Sequence, residues 1–149
     1  MKTEPSATPN VLLIDDNSDG LLVRRTLLEE AGCRVTLAHS GEEGLELFDG
    51  GGFELTVTDY RMPGGMDGIE VIRRIRDAQP QARVILLSGF VEPLGLSVEN
   101  TGADAVVAKS ANEPANLVRS VKRLLNRPSR KPPASQIRRN RTGVTAAGR

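Results

Sequence analysis

Residues 55–68 read LTVTDYRMPGGMDG, and a strand, a turn and the start of a helix meet in that one stretch. Leu55-Thr56-Val57-Thr58 is a short apolar, β-branched run of the kind that fits a buried strand. Pro63-Gly64-Gly65 is a turn signal, and Met66-Asp67-Gly68 opens a helical pattern. Ile69, Ile72 and Ile75 then give that helix a core-facing stripe, closed by Gln79-Pro80. Between strand and turn stands Asp59. A carboxylate ending a buried strand is costly unless a metal, hydrogen bonds or a cation compensate it. Asp59 is therefore either a structural ion-pair member or a chemical group.

Working outward, the same unit repeats. Val11-Leu12-Leu13-Ile14 is a continuous apolar run, as expected of a strand covered on both faces. It ends in Asp15-Asp16-Asn17-Ser18-Asp19, a cluster of candidate N-caps. The first helix is expected to turn Val23, Leu27 and Ala31 inward and to stop at Gly32. Residues 34–38 form the second strand, and Ser40-Gly41-Glu42-Glu43 starts a helix with Leu45 and Phe48 on one face. Residues 84–87 and 105–108 are the fourth and fifth strands. A helix interrupted by Pro93 and Gly95 lies between them, and one marked by Leu117, Val121, Leu124 and Leu125 follows. Strands alternating with amphipathic helices imply an α/β fold with a parallel sheet covered on both faces. Right-handed crossovers favour the flavodoxin-like (βα)5 doubly wound sheet, strand order 2-1-3-4-5.

The chain of 149 residues has room for one such domain. Its formal charge of +1 conceals a split: residues 1–126 hold thirteen basic residues and all nineteen acids, a net of −6, and residues 127–149 hold seven basic residues and no acid. The expected organisation is a disordered leader over 1–9, a folded domain over 10–126, and a basic, disordered tail over 127–149. The tail lacks aromatics for stacking on bases, so a nucleic-acid contact through it is the weaker alternative. No apolar segment is long enough to span a bilayer, and the leader has no apolar core of a signal peptide. Cys33, the single cysteine, excludes an internal disulfide and fits a half-buried residue entering a strand. These features point to a cytoplasmic protein without membrane insertion.

In a doubly wound sheet, ligands bind outside the carboxyl ends of the strands. There the first strand ends in Asp15-Asp16, the third in Asp59, the fourth in Ser88 and the fifth in Lys109. Three crowded carboxylates call for a divalent cation, and an all-oxygen set suits Mg²⁺. A metal there would neutralise an incoming phosphoryl group, and Asp59 would be the nucleophile that takes it as an aspartyl phosphate. Lys109 can pair with one phosphoryl oxygen and Ser88 can donate to another. His39 reads as a surface residue, and Met62 and Met66 as packing around the turn.

These residues resemble the receiver domain of two-component response regulators. The resemblance rests on Ile14-Asp15-Asp16-Asn17, Asp59 with Met62-Pro63 and Met66-Asp67-Gly68, Leu87-Ser88-Gly89, Gly102-Ala103-Asp104-Ala105, and Lys109. It covers about residues 10–126. It implies a stand-alone phosphoacceptor, not an enzyme with a separate substrate, that takes a phosphoryl group from a sensor histidine kinase or a histidine phosphotransfer protein and signals to a downstream protein by contact. It also implies that Asp16 and Asp59 are metal ligands, that Asp15 holds metal-bound water, and that the backbone carbonyl of Arg61 completes the shell. The chain departs from the family's pattern at several places. Gly64-Gly65 adds one residue to the turn, which should alter the loop without moving the ligands. Ser110 replaces the usual proline after Lys109, and Val106 stands where an aromatic switch residue is common. Arg61 and Phe90 flank the site, where they would set water access.

Overall fold

A computed structural model of the chain describes residues 8–89 and 94–127. The strands are β1 (Asn10–Ile14), β2 (Arg34–Ala38), β3 (Leu55–Asp59), β4 (Val84–Ser88) and β5 (Ala105–Ala108). The helices among the described residues are α1 (Ser18–Glu30), α2 (Gly41–Asp49), α3 (Gly68–Ala78), a single turn α4 (Val98–Thr101), and α5 (Glu113–Asn126). The sheet is parallel throughout, in the order β2-β1-β3-β4-β5. This is the doubly wound, flavodoxin-like arrangement expected from the sequence.

Alternation along the strands builds two cores from one sheet. Val11, Leu13, Leu55, Val57, Ile85 and Leu87 face α1 and α5, where Leu21, Leu28, Leu117, Val121 and Leu124 meet them. Leu12, Ile14, Val84 and Leu86 face the opposite way, onto Phe48 of α2 and Val71, Ile72 and Ile75 of α3. Burial on both faces explains why these strands read as unbroken apolar runs. β2 is an edge strand and is buried fully only at Ala38.

Local chemistry sets the helix ends. Asn17 caps α1 by accepting from the Gly20 N–H at 2.8 Å, Ser40 caps α2 and Asp67 caps α3. Ser97 and Asn100 form a reciprocal capping box on α4, which Gly102 ends in the left-handed region at φ +82°. Of the expected interrupted helix over 91–101, residues 98–101 form that turn, and positions 91–93 lie outside the described residues, as do Phe90, leader residues 1–7 and tail residues 128–149.

One expectation is overturned. Val23 does not face the core; it is 68% exposed, and Leu27 and Ala31 are only partly buried. The inward positions of α1 are Leu21 and Leu28, with Arg24 between them at helical spacing. The reason is the choice of apolar residues: Leu21 and Leu28, with Leu27 beside them, pack on the α1-side core, and this phase also brings Arg24 to the acids at the sheet edge.

At the amino edge of the sheet a second charged cluster ties the chain together. Asp104 Oδ2 accepts from Arg76 Nη2 at 2.9 Å and from the Val84 N–H at 2.8 Å. Arg127, just past α5, lies 3.6 Å from Asp104 through Nη2, and its carbonyl accepts from Arg83 Nη2 at 2.9 Å. Among the described residues no helix is long and apolar enough to cross a membrane.

Candidate functional site

Strand register assembles the pocket. Ile14 pairs with Thr58, Asp59 with Leu87, and Ser88 with Ala108, so the residues ending β1, β3, β4 and β5 stand at nearly one level on the carboxyl edge. Oxygens of Asp15, Asp16 and Asp59 lie within 4.8 Å of one another. Asp15 and Asp59 are buried, at 1% and 4% exposure, whereas Asp16 opens to solvent. Lys109 Nζ reaches Asp59 Oδ1 at 2.6 Å, and the Lys109 N–H donates to the Ser88 carbonyl at 2.9 Å. Ser88 is buried at the same edge. Arg61 is exposed on the loop that leaves β3.

That loop is held from both sides. The Tyr60 N–H donates to the Leu87 carbonyl at 2.9 Å, and the Gly68 N–H donates to the Tyr60 carbonyl at 2.8 Å. The Thr58 hydroxyl donates to the Asp59 carbonyl at 3.0 Å. Gly68 is needed for this closeness, because a Cβ there would stand 2.3 Å from the Asp59 carbonyl oxygen. In the turn after Pro63, Gly64 takes φ +87°, a conformation costly for side-chain-bearing residues. Met62 is buried and Met66 partly buried in the α3-side core, as expected of turn packing. The same turn and the end of β2 enclose a small cavity lined by Asp16, His39, Glu42, Pro63, Gly64 and Gly65. His39 is exposed, with Nδ1 3.4 Å from Glu43 Oε1.

Two partners of the acidic cluster are not visible in the sequence as such. Arg24 Nη1 donates to Asp15 Oδ2 at 2.9 Å, while its Nε and Nη2 donate to Glu113 Oε2 and Oε1 at 2.7 and 3.1 Å. Burial works against the charge of this guanidinium, but hydrogen-bonded Glu113, with Asp15 and Asp59 behind it, outweighs burial and holds its pKa above the ordinary value. The other oxygen of Asp15 accepts from the Asn17 N–H at 3.0 Å. Of the candidate caps at the end of β1, Asn17 is the one that caps α1, and Asp15 instead supports the cap residue.

Three carboxylates offering only oxygen ligands, two of them buried and one open to water, fit a hard divalent cation such as Mg²⁺. Val106, at the position of the expected aromatic switch, is half-buried and packs into the α3-side core. No cis peptide bond occurs among the described residues, the Lys109-Ser110 bond included.

Residues 11–122 match the family model of the response regulator receiver domain. Among curated proteins, the uncharacterized transcriptional regulatory protein YkoG of Bacillus subtilis is 38% identical over 79 residues, which is 53% of this chain and 34% of YkoG. The chain therefore spans about a third of the length of that relative. Among solved structures, the response regulator protein TrrA of Thermotoga maritima in complex with Mg²⁺-BeF is 32% identical with a TM-score of 0.71, over 78% of this chain and 99% of that one. A second structure, of the histidine kinase ThkA in complex with TrrA, matches at 32% identity and a TM-score of 0.71 over 80% of this chain and 100% of that one. With the family model covering most of the sheet and its helices, and the strand order agreeing, this chain belongs to the response regulator receiver domains of two-component systems.

Proposed function

We propose that Asp59 accepts a phosphoryl group from the phosphohistidine of a sensor histidine kinase or histidine phosphotransfer protein, with Mg²⁺ beside it. The observation that carries this reading is the meeting of Asp15, Asp16 and Asp59 within 4.8 Å, with Lys109 set 2.6 Å from Asp59. The Mg²⁺–BeF complex of TrrA and the binding of TrrA to a histidine kinase support it by likeness. Asp15, Asp16, Asp59 and the backbone carbonyl of Arg61 are the residues that would hold Mg²⁺, which when bound supplies charge neutralisation for the transferred group.

The step itself is an in-line displacement. A carboxylate oxygen of Asp59 forms the new O–P bond while the N–P bond of the phosphohistidine breaks. The bonding pair stays on the imidazole nitrogen, which then takes a proton. Lys109 and Ser88 serve the phosphoryl oxygens, one by charge and one by hydrogen bonding. Once the acyl phosphate forms, their movement toward it remodels the face made by α4 and β5, and a downstream protein reads that face. On this reading residues 10–126 are the receiver, flanked by the leader over 1–9 and the basic tail over 127–149. The protein acts in the cytoplasm and catalyses only its own phosphorylation and dephosphorylation. A general phosphatase role is disfavoured because Asp59 is followed by Tyr60-Arg61 and not by a second aspartate two residues on.

The test is phosphoryl uptake by the full chain from acetyl phosphate with Mg²⁺, read by intact mass. One phosphoryl group is expected on the wild type, and none on Asp59→Asn or in the presence of a chelator. No uptake by the wild type, or undiminished uptake by Asp59→Asn, overturns the proposal. A second reading, a binding module indifferent to phosphorylation, is favoured by the aliphatic Val106 in the core-packed switch position. Equal partner affinity with and without beryllofluoride would support that second reading.

A further inference from the structure

Helix α1 sends a cation into the acidic pocket. Leu21 and Leu28 are buried and set the phase of α1, and position 24 lies a turn from each on the same inward side. The Arg24 guanidinium then divides itself between two acids, one hydrogen bond to Asp15 at 2.9 Å and a two-pronged pair to Glu113 at 2.7 and 3.1 Å. Its side chain is 11% exposed, that of Asp15 2% and that of Glu113 14%, so solvent does little to screen the three charges. Room for this contact comes from Gly20. A Cβ on that residue would stand 2.8 Å from Arg24 Nη1 and 3.3 Å from Asp15 Oδ2. The end of β1, two positions of α1 and the first residue of α5 therefore build one charge relay beside the carboxylate cluster.

We propose that Arg24 is a tethered counter-ion that competes with the divalent cation for Asp15, and that Glu113 sets how strongly it competes. This rests on the reading of Asp15, Asp16 and Asp59 as the metal-binding carboxylates. Without metal, Arg24 at Asp15 and Lys109 at Asp59 offset two of the three negative charges. A divalent cation approaching Asp15 is repelled by the guanidinium already there. Glu113 weakens that repulsion in two ways, by cancelling charge and by pulling the guanidinium toward α5. Arg24 is a positioning residue in this scheme, since it acts through Asp15 and not on the transferred group.

For removal of Arg24, the competing role and a merely structural role predict opposite signs. If Arg24 only braced Asp15, its removal would loosen a ligand and weaken metal binding, and so would removal of Glu113. If it competes, Arg24→Gln binds Mg²⁺ about tenfold more tightly, whereas Glu113→Gln binds it several-fold more weakly. The experiment is calorimetric titration of the full chain with MgCl₂ at low ionic strength, with cooperative thermal unfolding as the check that each variant folds. Gly20→Ala supplies a test that removes no charge: its methyl group would stand 2.8 Å from Arg24 Nη1, closer than to Asp15 Oδ2 at 3.3 Å, and is expected to displace the flexible guanidinium from Asp15. It is expected to tighten Mg²⁺ binding, and it carries the test alone should Arg24→Gln fail to fold. Unchanged or weaker binding in Arg24→Gln, or in Gly20→Ala when the former does not fold, overturns the inference. A wild type that takes up no Mg²⁺ overturns both this inference and the metal reading of the site. A wild type that binds Mg²⁺ with the variants unmoved overturns only the role of Arg24.

Discussion

Replacing Gly68 by alanine adds one methyl group where the first turn of α3 touches the backbone of Asp59. The new Cβ would lie 2.3 Å from the Asp59 carbonyl oxygen, 2.9 Å from Leu86 Cδ1 and 3.0 Å from the Asp59 carbonyl carbon. Leu86 can rotate away, but the carbonyl cannot, because it ends a strand paired on both sides. Reaching even the 3.0 Å floor for such a contact needs a backbone shift of at least about 0.7 Å, and overpacking of that kind costs roughly 1–3 kcal/mol. The shift also strains the hydrogen bond from the buried Thr58 hydroxyl to the same oxygen, adding about 1 kcal/mol. Better helix propensity returns well under 1 kcal/mol at a first-turn position. The net expectation is a loss of about 3 kcal/mol, seen as a lower urea midpoint with an unchanged slope. Phosphoryl uptake at Asp59 should slow as well, since the carboxylate moves with its backbone. Gly89→Ala is the control: it sits at the same edge with nothing within 4 Å of its added Cβ, so its stability should stay within about 0.5 kcal/mol of wild type. Equal urea midpoints for the wild type and both variants would refute the claim that close backbone approach at Gly68 positions Asp59.

Two further outcomes follow from parts of the fold away from the pocket. Asp104→Asn removes the charge that Arg76 and Arg127 share and should cost about 2 kcal/mol in urea unfolding; an unmoved midpoint would show the cluster to be ornamental to stability. The Cys33 thiol is buried, and burial pushes its pKa above the ordinary thiol value. Its alkylation by iodoacetamide should therefore be at least about tenfold slower in the folded protein than in urea. Because the folded pKa is the higher one, this group leaves stability untouched below the ordinary thiol pKa and lowers it as pH rises past that value. Equal alkylation rates folded and unfolded would contradict the burial.

Most of the architecture is legible in the chain because its strands are covered on both faces. Val11 to Ile14 and Val84 to Leu87 are apolar without a break, and a parallel sheet wrapped by helices is the fold that uses such runs. The pocket is legible for a related reason. In this topology the residue following each apolar run lands on one edge, so Asp15, Asp59, Ser88 and Lys109 can be placed together before any coordinates are known. The inward face of α1 is a different matter. The four-residue series Val23, Leu27 and Ala31 is one apolar reading of α1, yet Leu21 and Leu28 set the inward face, and it carries an arginine that apolar periodicity counts as solvent-facing. Arg24 finds its partner Glu113 across 89 positions of sequence, and nothing local in either segment announces the pair. The helix cap hides for a similar reason: Asp15, Asp16 and Asn17 all have the chemistry to cap, and the hydrogen bond from the Asn17 N–H to Asp15 decides among them.

The tie between Arg127, Asp104 and Arg83 has a practical reach. It pins the end of α5 to the edge of the sheet where the strands begin, whereas the carboxylate cluster opens where they end. Strands of five residues separate those two edges by about 17 Å. A dye, affinity handle or fused protein joined directly at residue 127 starts on the far side of the sheet from Asp59, and it must traverse that height before it could cover the carboxylate cluster. Position 127 is therefore a point of attachment that leaves the edge carrying Asp15, Asp16 and Asp59 open to the solution.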